Sequence, residues 1–204
     1  MKHFINAMNN KYTFYTCEGY EANCCDGRTG TIFSQIILDD FEEIYENYPI
    51  LFLFGELGYI KPVLILTNGK DLCRYVKDSK CTIYEKRSSI CKAYPLSAHI
   101  DNNIYVDHLC PAVNSNNNDS TILVENQKIN KNFYSDIFDN YQDKYIQTHQ
   151  ELEKYNVKSD FEVAITINGI DFYKYKKTTT NKYLKLHQKS LILLEDYYFK
   201  SLNS

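Results

Sequence analysis

The stretch that most constrains this chain is Cys73 to Cys91, CRYVKDSKCTIYEKRSSIC, which runs on into KAYP at 92–95. Three of the seven cysteines fall within these nineteen residues. Cys110 follows with Pro111 directly behind it, and Cys17 and the adjacent pair Cys24-Cys25 lie upstream. So many thiols must cross-link, ligate or be buried, and the redox compartment decides among these fates. No apolar run approaches the length of a membrane span, the longest being the five residues Ile50 to Phe54. The opening MKHFINAMNNKY has no hydrophobic stretch that would serve as a secretory signal. The expectation is therefore a cytoplasmic protein, in which such an array ligates metal or does redox chemistry rather than forming disulfides. Scattered cysteines would read as inert core residues. An adjacent pair followed by a tight later group argues for ligation instead.

At 204 residues the chain is long enough to bury a core. Its net charge of −3 gives no global attraction to nucleic acid or to an anionic membrane. Taken in order, KYTFYT (11–16) reads as a short strand delivering Cys17, and CEGYEANCCDGRTG (17–30) as a glycine-bearing loop. Gly27 and Gly30 mark a close approach or a positive φ. TIFSQIIL (31–38) reads as strand, and Asp39 with Glu42 as a capping box opening a helix to about Tyr48, before Pro49. YIKPVLILT (59–67) reads as strand, Asn68-Gly69 as a tight turn and the next strand as the carrier of Cys73. A turn at 77–80 then sets Cys81 opposite Cys73 in a hairpin, and 85–91 is a short helical turn ending at Cys91. A second hairpin spans Leu96–Ile100 and Ile104–His108.

The polar run NSNNNDS (114–120) divides the chain into a cysteine-rich module, 1–113, and a mainly helical region, 121–204, packed on it. Ile129, Phe133, Ile137, Tyr141 and Tyr145 recur every four residues, which predicts a helix over about 125–155. Phe161–Ile167 and Ile170–Tyr175 form a hairpin about Asn168-Gly169, and Lys182 to Leu202 a closing helix. The fold class is α+β.

The cysteine spacings are Cys-x6-Cys-Cys, then Cys-x7-Cys-x9-Cys, then eighteen residues to Cys-Pro. Structural zinc sites draw ligands in pairs two to four residues apart, and no such pair exists here. Iron–sulfur clusters are larger and accept ligands from separate loops, so an iron–sulfur cluster is preferred over zinc. Arg74, Lys77, Lys80, Lys86, Arg87 and Lys92, against Asp78 and Glu85, give the 73–92 stretch a local charge of +4. Such charge favours thiolates and offsets that of a thiolate-ligated cluster. The candidate ligands are Cys17, Cys24, Cys25, Cys73, Cys81, Cys91 and Cys110, with His99 and His108 as substitutes.

Cys24-Cys25-Asp26-Gly27-x-x-Gly30-x-Ile32, and above all Cys81-Thr82-Ile83-Tyr84-Glu85-x-Arg87-x-x-x-Cys91-Lys92-x-Tyr94-Pro95, resemble the YkgJ family of CxxCxxCC cysteine-cluster proteins. These are described as zinc- or iron-chelating domains. The second block is similar to the family's C-x-I-Y-E-x-R-P-x-x-C-R-x-F-P signature. Cys73 matches the cysteine before it, Cys110-Pro111 resembles the trailing Cys-Pro, and the resemblance covers about residues 12–113. Ser88 stands where the family has proline, and Tyr20 near where its namesake pattern has a further cysteine. The family is linked with flagellin lysine N-methylation through longer proteins containing this module. No nucleoside-binding glycine loop is present here, and that activity is not carried over.

Within the motif, Cys81 and Cys91 are the leading ligands. Arg87 is expected to bond carbonyls or a carboxylate such as Glu85, and Tyr84 to wall the site from water. Seven thiols supply one four-thiolate site plus three, which could hold a second cluster with an open iron suited to redox, radical or methyl-transfer chemistry. The rival from another class is a non-catalytic adaptor stapled by zinc, serving an unidentified protein partner. FYKYKK (172–177) alternates aromatics with lysines, which fits an edge strand better than a nucleic-acid surface.

Overall fold

The computed structural model describes residues 2–16, 23–55, 58–115, 118–131, 133 and 135–195, so Cys17 and Tyr20 lie outside the described residues. In chain order the strands are β1 (Phe4–Asn6), β2 (Lys11–Phe14), β3 (Phe33–Gln35), β4 (Ile50–Phe54), β5 (Ile60–Ile65), β6 (Val76–Lys77) and β7 (Lys80–Cys81). They continue as β8 (Leu96–Ala98), β9 (Ile104–Asp107), β10 (Thr121–Glu125), β11 (Lys128–Ile129), β12 (Phe161–Ile167) and β13 (Ile170–Tyr175). The helices are α1 (Phe41–Ile44), α2 (Ser89–Ala93), α3 (Tyr141–Glu153), α4 (Lys182–Ser190) and α5 (Ile192–Leu194). The fold is α+β, and no helix among the described residues is long and apolar enough to cross a membrane.

A five-stranded antiparallel sheet, ordered β12-β13-β4-β5-β3, forms the centre. Its middle strands ILFLF and IKPVLI are nearly all apolar because both faces are covered. Strand alternation sends Ile50 and Leu64 to one face, with Phe41, Ile44, Tyr48 and Cys73, and sends Leu51, Val63 and Ile65 to the other, with Phe172 and Leu194. α4 packs on β4 and β13, and α3 on β5. Three smaller sheets, β1-β9-β8, β11-β10-β2 and β6-β7, complete the chain. Strands from both sides of the 114–120 run pair with each other: β13 with β4, and β10 with β2.

Several expected elements differ. The strand at 31–38 shortens to β3 because residues 38–40 turn into a 3-10 helix, in which the Asp40 carboxylate, not Asp39, accepts the Ile37 N–H at 3.0 Å. The helix that follows is the single turn α1. Over 125–155 the chain forms the hairpin β10–β11, closed by Asn126 and Gln127 at positive φ, then a 3-10 turn at 135–138, and only then α3. Cys73 lies on no strand: the Asn68 side chain accepts from Lys70 N and Asp71 N, curling the chain where a strand was expected. Cys81 faces Val76 across the small hairpin rather than Cys73. Cys91 sits inside α2 instead of ending a turn. β13 is an interior strand and not an edge, and Lys174 and Lys177 are paired with Glu162 (3.1 Å) and Asp160 (2.6 Å). The closing helix breaks at Leu191 into α4 and α5, and Tyr198 and Leu202 lie outside the described residues.

Candidate metal centre

The described cysteines arrive on five pieces of chain. Cys24 and Cys25 occupy a 3-10 turn at 23–25, joined through Asp26 to a second one at Gly27–Thr29. The Asp26 carboxylate accepts from the Arg28 guanidinium (2.8 Å from Nη2) and from Arg28 N, and the Arg28 side-chain bonds hold its carboxyl below the usual carboxylate range. Gly27 N–H donates to Asp71 O (2.9 Å) and Cys73 N–H to Cys25 O (2.7 Å), locking this turn pair alongside 71–73. The approach explains Gly27: a Cβ there would stand 2.5 Å from Thr67 Oγ1 and 2.7 Å from Asp71 O. Gly30 serves the other purpose, with φ 95°.

Cys81 closes β7 and is half-buried. Ser88 caps α2, its hydroxyl accepting from Cys91 N–H at 3.3 Å. Cys110 is buried, its N–H donating to Asp107 O (3.1 Å), beside a Tyr94 hydroxyl that donates to Asp107 Oδ2 (2.9 Å). All six described cysteines are free.

Each described thiol lies within electrostatic reach of at least one other. Cys25 is pushed up by its hydrogen bond to Cys24 (Sγ···Sγ 3.6 Å), then by burial, then by the charges of Cys24, Cys73 and Cys91. Cys24 moves the opposite way: the Cys25 thiol stabilises its thiolate, and Lys2 and Arg87 add to the effect against burial. Burial pushes Cys73 up to about 12, with Cys91 and Cys81 adding to the rise. Cys91 and Cys110 are raised by burial, and both sense Cys24. Tyr48 is raised by burial and by Cys91, Cys73, Cys81 and Cys25. Of the seven predicted ligands, Cys25, Cys73 and Cys91 share one apolar cluster, Cys24 adjoins Cys25, Cys81 acts on Cys73, Cys110 belongs to a different core cluster, and Cys17 lies outside the described residues.

Among the described residues, no three His, Cys, Asp or Glu side chains are arranged to hold a metal ion. The donor chemistry nevertheless suits a soft ion. Closing thiolates around one would require proton loss and movement of the sulfurs, so metal uptake and local ordering would be coupled.

The flanking expectations divide. Arg87 bonds a carbonyl, Nε donating to Tyr84 O at 2.7 Å, and its guanidinium lies 3.5 Å from the centre of the Tyr84 ring. Tyr84 is 51% exposed, so its ring stacks on Arg87 at the surface and does not wall the thiols from water. His99 is exposed and paired with Asp101 (3.2 Å), and His108 faces His3 (Nδ1···Nδ1 3.2 Å). The sequence reading missed Tyr48, Ser88, Tyr94 and Lys2. Only Tyr94 carried a signal, as the aromatic ahead of Pro95 in the second motif. Comparisons with protein families, with curated proteins and with solved structures find no match for this chain.

Proposed function

We propose that this protein binds metal through its cysteine cluster, holding an iron–sulfur cluster, with zinc as the alternative occupant. The carrying observation is that Cys25, Cys73 and Cys91, free thiols from three separate pieces of chain, gather beside the Ile50/Leu64 face of the central sheet, with the Cys24 sulfur 3.6 Å from that of Cys25. A disulfide scaffold would leave pairs joined, and inert core thiols have no reason to gather. Cys25, Cys73 and Cys91 are the inner set, since Cys25 senses both of the others and Cys73 senses Cys91. Cys24 adjoins Cys25, Cys81 acts on Cys73, and Cys110 reaches the set only through Cys24. Lys2 and Arg87 act on both Cys24 and Cys91, and would offset the negative charge of a thiolate-ligated centre. The resemblance to the YkgJ family points to the same chemistry. The zinc reading draws on burial: a closed four-thiolate site needs no solvent-open position, and Cys73 and Cys110 are buried.

Anaerobic purification with analysis of iron, sulfide and zinc tests the proposal. The expected protein is brown, and Cys81→Ser and Cys91→Ser each lose metal and melt lower. Lys174→Ala and Lys176→Ala do neither. Because a site that forms only in the folded chain contributes binding free energy to folding, the serine variants should lose well over the roughly 1 kcal/mol of an ordinary substitution. Colourless wild type with stoichiometric zinc replaces iron–sulfur by zinc. Wild type without either metal, or serine variants with full metal content, overturns the reading.

A further inference from the structure

A cavity of about 560 Å³ lies between residues 34–43, Lys61 on β5, the α2–β8 segment and residues 136–145. Its volume is that of a small-molecule site. It is distinct from the thiol cluster but shares α2 with it: Ser89, Ile90 and Ala93 line the cavity on the same short helix that carries Cys91.

We propose that this cavity binds a linear aliphatic polyamine. Four carboxylates line it, Asp39, Asp40, Glu43 and Asp136, against two lysines, Lys61 and Lys144. Asp39 already has Lys144 at 3.3 Å and His99 is paired with Asp101, so Asp40, Glu43 and Asp136 face Lys61 alone. The contact from Glu43 to Lys92 outside the cavity is long, 4.0 Å, and Glu43 itself is well exposed, which leaves it weakly neutralised. Asp40 is buried, held by the Ser89 hydroxyl and Ile37 N–H, and desolvation raises its carboxyl above its ordinary value. An ammonium brought beside it would relieve that penalty. Between the charges the lining is aromatic. Tyr141 and Tyr145 stand one helical turn apart on α3 with ring centres 6.3 Å apart, and Phe138 lies close by in sequence. Rings of this kind accept ammonium groups and methylenes on their faces. The carboxylates come from two separate segments, 39–43 and 136, which favours a molecule with a cation at each end over a single amine or a compact metal ion.

Calorimetry with spermidine as the probe, in about 150 mM NaCl to screen loose charge attraction, tests this on both metal-free and metal-loaded protein. Saturable one-to-one binding is expected in both, independent of the cysteine reading. Asp136→Asn and Glu43→Gln, both at exposed positions, should each weaken it about tenfold or more, as should replacing spermidine by n-butylamine. Tyr145→Leu should weaken it without changing the charge. The proposal is overturned by absence of saturation, by magnesium chloride competing at equal charge concentration, or by binding unchanged in all three variants.

Discussion

Acidification should act on the core of this protein through one residue, His187. The side chain is fully buried between β4 and β13, with its ring 4.8 Å from that of Phe52. Tyr175 N–H donates to its Nε2 at 3.0 Å, so Nε2 is unprotonated and the ring proton is on Nδ1, which donates to Ile50 O at 2.6 Å. A second proton would set N–H against N–H at Nε2 and place a charge in an apolar layer. Burial, with Lys174 adding to it and the Ile50 bond opposing, therefore depresses the imidazole from 6.5 to about 4. In the unfolded chain the same imidazole takes up its proton near its ordinary value. The stability it contributes is thus complete above pH 6.5 and is lost as pH falls through about 4, because the unfolded state binds the proton first. At 1.36 kcal/mol for each tenfold change in proton affinity, the full loss is about 3 kcal/mol, of which about 2 kcal/mol falls between pH 7.5 and pH 5. Urea unfolding followed by circular dichroism at those two pH values measures it, the chain having no tryptophan to report by fluorescence. His187→Gln retains an acceptor and a donor for Tyr175 and Ile50 but does not titrate, so its loss on going to pH 5 should be smaller than wild type's by about 2 kcal/mol. Other acid-sensitive groups, His149 included, are common to both proteins and cancel. Equal losses in the two proteins would falsify the argument, as would an imidazole NMR titration of folded wild type with a midpoint near 6.5.

Two further outcomes follow from the geometry around the thiols. Gly27→Ala should destabilise by about 1–3 kcal/mol and expose Cys73 to alkylation, because the new methyl meets Asp71 O at 2.7 Å in a backbone pair that cannot yield cheaply; an unchanged urea midpoint would show that 23–29 and 67–73 are not locked together. In metal-free protein near neutral pH, iodoacetamide should label Cys24 ahead of Cys73 and Cys91. The Cys25 thiol, Lys2 and Arg87 favour the Cys24 thiolate, while burial suppresses the other two. Mass spectrometry after brief labelling reads the order, and Cys73 reacting as fast as Cys24 would contradict it.

What was legible in the sequence was what local chemistry decides. Asn168-Gly169 between two apolar runs specifies a two-residue turn, and the structure has both residues at positive φ between β12 and β13. The 96–108 hairpin and β5 followed for similar reasons. The reading failed where a distant partner decides. The four-residue spacing of Ile129, Phe133 and Ile137 looks helical. Yet Ile129 pairs in a hairpin whose other strand, β10, is claimed by β2 from more than 100 positions away, and Phe133 turns inward to meet the Phe14 ring. Cys73 was placed on a strand because nothing local reveals that its N–H belongs to Cys25 O. The roles of Tyr48 and Lys2 beside the thiols were illegible for the same reason: Tyr48 reaches them from the apolar cluster on one face of the central sheet, and Lys2 from the chain's start, over the Tyr94 ring.

Burial of the cysteines admits an inert explanation, and the details of the arrangement weigh against it. Cys73 does belong to the apolar cluster with Phe41, Ile44 and Leu64, and Cys25 and Cys91 pack against that cluster, as small hydrophobes would. A core gains from thiols only what it gains from any group of that volume. It would then have no use for two adjacent sulfurs 3.6 Å apart, or for Lys2 and Arg87 acting electrostatically on Cys24 and Cys91. Nor would a core need Gly27 sacrificed to bring the Cys24-Cys25 turn against the Cys73 loop. Each of these features has a cost in an ordinary core: partial desolvation of charge, lost backbone entropy, and titratable groups crowded together. Deprotonated thiols around a soft cation would turn each cost to use, since the cation offsets the thiolates, the lysine and arginine offset what remains, and the locked turn fixes the sulfurs in place.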